Sequence, residues 1–169
     1  MGQTARTTKL LLDLSPREQG GTNAGKRSYL ETTVAILDAA RQFYLDFFLA
    51  HPDKLEERVP VISKKTGEVR EALISADKLL TWAECETVET SAHPTPQAAW
   101  NFSRAFPDFP NRYRRSVIKD VLGKARAYLT SLAAWDASGK RAGKPGRPTP
   151  HNHPTLYHGT YALELDELD

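Results

Sequence analysis

Residues 29–49 have the apolar pattern of a long α-helix that is covered on most of its sides. Apolar side chains recur there at steps of three and four residues, which is the spacing of one helix face, and others widen the stripe: Leu30, Val34, Leu37, Ala40, Tyr44 and Phe48, then Ile36, Phe43 and Phe47. A helix of this kind is stable only when other elements pack around it. The sequence therefore predicts a mainly helical domain in which residues 29–49 are largely packed.

Local boundary signals define the next elements. Ser28, with Glu31 three residues later, has the spacing of a capping box and is the expected start of the first helix. A β-hairpin is expected over residues 59–73, with its turn at residues 64–67, Lys-Lys-Thr-Gly. Ser75 is the expected N-cap of a second helix, which carries Leu79, Leu80, Trp82 and Ala83.

Prolines divide the following stretch, up to Pro110, into short helical pieces. These pieces are expected around Trp100, Phe102 and Phe106. A longer helix is expected from Pro110 onward, with apolar residues at helical spacing: Tyr113, Val117, Val121, Tyr128, Leu132 and Trp135. Gly123 inside it costs about 1 kcal/mol relative to alanine. Close approach of another backbone would explain this glycine.

Positive charge is concentrated in residues 111–147, which comprise this helix and a Pro/Gly-rich stretch after it. The segment has ten basic residues and two acids, Asp120 and Asp136, for a net charge of +8, whereas the whole chain carries +2 and the remainder −6. Such a segment is built to face an anionic partner, and nucleic acid is the usual one. The candidate nucleic-acid-binding residues are Arg112, Arg114, Arg115, Lys119, Lys124, Arg126, Lys140, Arg141, Lys144 and Arg147.

Four of these cations have the spacing of a single solvent-facing stripe on the helix: Arg112, Arg115, Lys119 and Arg126. Most charged helix surfaces are simply solvated, but ordinary ones interleave Glu with Lys, so the scarcity of acids leaves two interpretations open, a solvated face and a phosphate-contacting face. Tyr128 and Trp135 could act as stacking platforms for bases, but the apolar spacing favours a place for both rings in the core.

The Pro/Gly-rich stretch and the chain ends carry further predictions. Residues 139–154 contain three glycines, four prolines, four basic residues and no acid, so they form a linker or a phosphate-tracking loop. Short strands are expected over residues 6–14 and again after the linker, bent at Gly159. Because the second strand has no visible partner, the polypeptide is expected to be incomplete.

Composition excludes several classes of protein. The single cysteine, Cys85, excludes an internal disulfide and a CxxC zinc ribbon. No apolar run approaches the roughly 18 residues needed to cross a bilayer, and the start of the chain lacks the apolar core of a secretory signal. These features are typical of a cytoplasmic protein without membrane contact.

No set of residues has the pattern of an active site or a metal centre. His151, His153 and His158 stand in a proline-rich stretch, and a zinc site needs three or four ligands in fixed geometry. Cys85 and His93 are distant from them in the sequence and lack the usual paired spacing. The aspartates lack the strand-end context of a two-metal nuclease, and the chain has no Walker loop, GxSxG sequence or Cys-His pair. We therefore expect no catalytic residues, no metal ligands and no cofactor.

Several stretches, taken in order, resemble OrfB/TnpB-type insertion-sequence proteins, which are relatives of type V CRISPR effectors. Residues 40–49 are similar to an early helix that typically carries Arg, aromatic-Tyr, Asn and aromatic-Leu, with Leu45-Asp46 standing in place of the Asn. Residues 112–124 resemble the R-x-A-I-x-D-A-x-G helix of that family. Trp135, the Gly-Lys-Pro-Gly-Arg-Pro stretch at 143–148 and residues 154–159 follow in the order of its middle region.

The resemblance implies an α+β fold in which a mainly helical recognition domain is inserted in an incomplete wedge-type β-barrel. Residues 1–27 would provide the first barrel strand and a loop, 28–136 the helical insertion, 137–154 the basic Pro/Gly linker, and 155–169 the returning strand. The RuvC-like catalytic region and the zinc ribbon of such proteins lie downstream of these segments. The chain would then correspond to the N-terminal portion of a truncated or split protein.

The implied function is nucleic-acid binding without catalysis by this chain alone. The full-length relatives are RNA-guided DNA endonucleases, long described as transposases, whose equivalent domains contact guide RNA and the target DNA backbone. A protein partner would supply the missing C-terminal region. Two alternatives stay open: a small helix-turn-helix DNA-binding regulator with its turn at residues 107–110, and a protein-interaction module that docks through the aromatic helix at 29–49.

Overall fold

A computed structural model describes residues 23–63, 66–91, 96–141 and 143–149. These residues form an α+β fold that is mostly helical, as predicted. The elements in chain order are α1 (Asn23–Ala50), α2 (Pro52–Leu55), β1 (Arg58–Ile62), β2 (Val69–Leu73), α3 (Ala76–Thr87), the 3-10 turn Ala98–Trp100, α4 (Phe102–Ala105) and α5 (Asn111–Ala137). None of the described helices is long and apolar enough to span a membrane.

The two long helices, α1 and α5, pack against each other and carry much of the core. The buried positions of α5 recur at helical spacing because one face meets its neighbours: Ser116, Val117, Ile118, Val121, Leu122 and Ala125. Among the described side chains of α1, the buried ones run from Leu37 to Phe48, which confirms that the second part of this helix is largely covered. Ile36 is an exception to the predicted stripe, since 47% of it is exposed.

Aromatic rings fasten the proline-rich stretch around α4 to α1. The ring of Phe102, which is 1% exposed, stacks on Tyr44 with centroids 4.9 Å apart and on Phe106 at 4.7 Å. Phe43 meets Phe102 edge-on at 5.3 Å. Each such pair contributes roughly 0.5–1.5 kcal/mol beyond its area burial. These contacts explain how a segment with only single-turn helices keeps its place.

The predicted hairpin is formed by β1 and β2, which pair antiparallel with Pro60 opposite Glu71. The N–H of Ile74 donates to the C=O of Glu57 at 2.9 Å. Successive residues of an antiparallel strand direct their N–H and C=O groups alternately toward and away from the paired strand. Glu57 directs its C=O toward Ile74, so the backbone nitrogen of Pro60, three residues later, points away from β2. Proline has no N–H to offer there, so the open edge of β1 lacks one donor, which is a common protection against pairing with other chains.

One of the two predicted helix caps is confirmed. Ser75 caps α3, its Oγ accepting a hydrogen bond from the N–H of Lys78 at 3.3 Å. The prediction for Ser28 is wrong, because α1 begins at Asn23 and Ser28 lies inside it. The residues just before Ser28 include alanine, lysine and arginine, which favour the helix, so it extends past the capping-box sequence.

The close backbone approach suggested for Gly123 is also wrong. A Cβ at this position would meet no atom within 4 Å. The glycine is exposed on α5, and nothing in its described surroundings requires the absence of a side chain.

We therefore expect Gly123→Ala to raise the free energy of unfolding by about 0.5–1 kcal/mol, because alanine loses less backbone entropy than glycine inside a helix. Urea denaturation measures this change. Gly139→Ala is the matched control: space is equally open there, but φ is +70°, so alanine should destabilise the protein. Stabilisation by both substitutions, or by neither, would contradict the account.

Several predictions lie outside the described residues. These are the strands at 6–14 and after 155, two of the hairpin turn residues (Lys64 and Lys65), and the histidines at 151, 153 and 158. The proposed barrel depends on those strands.

Candidate nucleic-acid interface

The basic residues in the first half of α5 face acids on α3. Glu84 accepts hydrogen bonds from both neighbouring arginines: its Oε1 lies 3.2 Å from Arg114 Nη2 and its Oε2 lies 3.2 Å from Arg115 Nε. The Nζ of Lys119 lies 3.7 Å from an oxygen of Asp77. The acids of α3 therefore offset part of the positive charge of α5 that a count of the residues of α5 alone would give.

Arg126 does not lie on a solvent-facing stripe. Its Nη2 donates to the C=O of Ile74 at 2.6 Å and to the C=O of Leu55 at 3.4 Å. Its Nε is buried with no partner among the described residues. Burial lowers the pKa of this guanidinium, which still remains protonated at neutral pH. Arg126 joins the segments that flank the hairpin to α5, so its role in the structure is to hold the fold.

The chain reverses direction at the C-terminal end of α5. The N–H of Gly139 donates to the C=O of Asp136 at 3.0 Å, and the N–H of Lys140 donates to the C=O of Trp135 at 3.1 Å. Gly139 and Lys140 have φ values of 70° and 62°, in the left-handed region that favours glycine and that a lysine seldom adopts. Beyond this turn, residues 145–148 lie alongside α5.

Four cations follow within eight residues of the chain at and after this turn: Lys140, Arg141, Lys144 and Arg147. The Nζ atoms of Lys140 and Lys144 lie 5.2 and 6.0 Å from the ring centroid of Trp135. Both distances are within or at the limit of a cation–π contact. We call Trp135 together with these four cations the reversal surface.

A groove of about 280 Å³ lies beside the reversal surface, between α5 and the returning segment. Its lining residues are Lys124, Ala127, Tyr128, Ser131, Pro145, Gly146 and Pro148. Tyr128 and Trp135 are half-exposed, and neither belongs to the hydrophobic core of the described residues. The expectation that both rings are core residues is wrong, because the last buried residue of α5 is Ala125.

A buried ion network joins two of the stretches that resemble OrfB/TnpB-type proteins. Arg41 of α1, whose side chain is 2% exposed, donates to Asp38 at 2.8 Å and, from Nε, to Asp120 of α5 at 3.2 Å. The Nζ of Lys124 donates to the same oxygen of Asp120 at 3.1 Å. Two acids and two bases thus neutralise one another between the helices. The sequence gives no sign of this network, because 79 positions separate Arg41 from Asp120.

A further such stretch, residues 143–148, also contacts α1. Arg147 pairs with Asp46, whose carboxylate accepts a further hydrogen bond from Gln42 at 2.6 Å. Asp46 belongs to the Leu45-Asp46 pair that stands where the OrfB/TnpB-type helix carries asparagine. Residues 40–49, 112–124 and 143–148 are therefore neighbours in space, although their charged partners lie up to 101 positions apart in the chain.

The net charge of residues 111–147 falls once these pairs are counted. Three acids from outside the segment, Asp46, Asp77 and Glu84, lower it from +8 to +5. Arg126 donates to backbone carbonyl groups. Apart from it, the candidate cations within the described ranges that have no carboxylate partner are Arg112, Arg141 and Lys144. Two of these three lie on the reversal surface, so the charge that stays available is concentrated there.

Among the described residues, the side chains that could bind a metal or act as nucleophiles are either engaged in contacts that stabilise the fold or isolated from one another. No group of three or more His, Cys, Asp or Glu residues in the described part of the chain could hold a metal ion. Burial raises the pKa of the Tyr44 phenol, although the hydroxyl shares a hydrogen bond with Thr87 Oγ1 at 3.1 Å. Cys85 is a half-exposed free thiol.

These features define a mainly helical α+β protein whose second long helix ends in a cationic chain reversal. The profile of the Aq_aa04 family matches residues 18–168, and the chain belongs to that family. It is 30% identical over 149 residues to the "uncharacterized protein aq_aa04" of Aquifex aeolicus (strain VF5), an alignment that covers 86% of this chain and 79% of that protein. No solved structure matches the chain. Neither name states an activity, and the likeness to OrfB/TnpB-type proteins stays a prediction.

Proposed function

We propose that this chain binds nucleic acid, chiefly a guide-type RNA, through the reversal surface. The observation that supports the proposal is that Lys140 and Lys144 lie over the ring of Trp135, with Arg141 and Arg147 in the same short segment of the chain, beside a groove lined by a second ring, that of Tyr128. Cations neutralise phosphates, and aromatic rings stack on unpaired bases. The same two components together are the usual make-up of a surface that binds single strands.

The first half of α5 has a secondary place in the proposal. Arg112 is exposed, but Arg115 and Lys119 share their charge with acids of α3. At 1.5 Å per residue, Arg112 lies about 35 Å along the helix from Trp135. A long RNA could reach both ends of α5, whereas a short oligonucleotide bound at the reversal surface would leave Arg112 untouched.

The proposal extends to the wider protein that the sequence resembles. The chain would act as the N-terminal, nucleic-acid-binding portion of a TnpB-like RNA-guided DNA endonuclease, contacting guide RNA and the target DNA backbone in the cytoplasm. Residues 1–27 and 155–169 would contribute an incomplete wedge-type barrel beside the helical part. A protein partner would supply the RuvC-like and zinc-ribbon regions, so cleavage would require that partner.

Two alternatives find less support in the geometry. A helix-turn-helix reader needs two helices flanking residues 107–110, and the helix before that turn, α4, has only 4 residues. An interaction module that docks through α1 needs an exposed aromatic face. Tyr44, Phe47 and Phe48 are 0% exposed, because the described fold already covers them.

Substitution of Arg141 and Lys144, the two cations of the reversal surface that have no carboxylate partner among the described residues, tests the proposal. We expect Arg141→Gln/Lys144→Gln to weaken binding of a structured RNA by about tenfold or more. Each phosphate contact releases counterions from the RNA and so favours binding, and each lost contact forfeits that contribution. Fluorescence anisotropy with a labelled RNA measures the dissociation constant.

The charge-matched control is Arg104→Gln/Arg112→Gln. Both arginines are exposed, and neither lies on the reversal surface. A smaller loss in this control is expected. Equal losses in the two double variants would mean that RNA binding follows net charge alone, and the proposed site would be wrong.

A further inference from the structure

Building on the proposed function, we infer that the groove between α5 and residues 145–148 holds one unpaired nucleotide of a single-stranded RNA. The proposed function requires only phosphate contacts at the reversal surface. The groove adds a preference for unpaired bases, which cations alone would not give.

The size of the groove favours a single planar group. Its volume of about 280 Å³ is just below the range for sites that bind drug-sized ligands, roughly 300–1,000 Å³. In a duplex the bases are stacked and paired inside the helix, so none can enter a cleft of this size without being flipped out. A single strand offers its bases without that cost.

The lining of the groove suits an aromatic base. The ring of Tyr128 stands on the α5 side, and Pro145 and Pro148 stand on the returning segment, with Gly146 between them leaving room. A base that enters can stack on Tyr128, and such stacking tolerates any sequence because every base has a π-face. The rings of the prolines supply an apolar opposite wall.

Polar groups at the groove fit the rest of a ribonucleotide. Lys124 lines it on α5 and is held in place by Asp120 of the buried ion network. Lys144 precedes Pro145 in the chain and has no carboxylate partner among the described residues, so its charge is available to a phosphate of the same strand. Ser131 offers a hydroxyl that can exchange a hydrogen bond with a ribose 2′-OH, the group that distinguishes RNA from DNA.

The inference is tested with the full chain, an oligo(U) strand, an oligo(dU) strand and an RNA duplex of equal length. We expect Tyr128→Ala to weaken oligo(U) binding by roughly 5- to 150-fold, the range for loss of one stacked base, and to change duplex binding by less than about twofold. Tyr128→Phe keeps the ring and should keep the affinity. Wild type should prefer oligo(U) to oligo(dU).

The outcomes separate this inference from the proposed function. One outcome supports the proposed function alone: Arg141→Gln/Lys144→Gln weakens RNA binding, but Tyr128→Ala changes the affinities for oligo(U) and for the duplex equally or changes neither. The surface would then bind RNA, but the groove would not hold a base. Equal affinity for oligo(U) and oligo(dU) overturns the assignment to RNA. Absence of measurable binding to all three probes overturns the proposed function and this inference with it. Circular dichroism of Tyr128→Ala checks that the fold is kept.

Discussion

Replacing Arg41 with alanine should lower the free energy of unfolding by about 3 kcal/mol. Removal of one member of a buried ion pair typically costs about 3–5 kcal/mol, because the remaining charge is left without a partner. The lower end is expected here, since Asp38 and Asp120 keep 23% and 18% of their side-chain surface exposed and Lys124 still neutralises Asp120. Urea denaturation followed by circular dichroism gives the value.

Lys54→Ala is the matched control for Arg41→Ala. It also removes one cation from an ion pair, that of Lys54 with Glu57 at 2.5 Å, but this pair is 34% and 36% exposed. Exposed pairs contribute about 0.2–1 kcal/mol, so little change is expected. A loss below 1 kcal/mol for Arg41→Ala would show that the network between α1 and α5 is not a major source of stability.

The largest expected effect on binding comes from replacing all four cations of the reversal surface, Lys140, Arg141, Lys144 and Arg147, with glutamine. For single strands the logarithm of the affinity falls by about 0.7 per phosphate contact for each tenfold rise in salt. Four lost contacts should therefore weaken RNA binding on the order of 100-fold or more near 0.1 M salt. Filter binding at fixed salt measures the loss.

Asp46→Asn separates charge from anchoring in that experiment. Arg147 pairs with Asp46, so the fourfold variant removes an internal contact as well as four charges. Asp46→Asn breaks the same contact but leaves all four cations, and we expect it to keep or raise the affinity. If Asp46→Asn lost affinity as strongly as the fourfold variant, the attachment of the returning segment, and not its charge, would control binding.

Local signals were enough to predict several elements of the fold. The turn sequence at residues 64–67 predicted the hairpin, the N-cap at Ser75 predicted α3, and the apolar spacing predicted α1 and α5. Each of these signals acts within a few residues, where propensity and capping decide the structure. The start of α1 was missed because a capping-box sequence also fits inside a helix.

The candidate site was less predictable, because its character depends on contacts between distant residues. The sequence identified the cations of residues 111–147. It could not show that Glu84 pairs with both Arg114 and Arg115, or that Arg126 donates hydrogen bonds to backbone carbonyl groups. These partners are 30 or more positions away. The exposure of Tyr128 depends likewise on where the covering elements end, which helical spacing does not reveal.

The central claim is that the reversal surface, and not α5 as a whole, contacts the phosphates. The direct test is the slope of log affinity against log salt for a short labelled single-stranded RNA, which cannot reach Arg112 from the reversal surface, measured for wild type, for the fourfold glutamine variant and for Arg104→Gln/Arg112→Gln. We predict that the slope becomes shallower by about 3 in the fourfold variant, at 0.7 per contact, and stays within error of wild type in the double variant. A slope that the fourfold variant leaves unchanged would contradict the account.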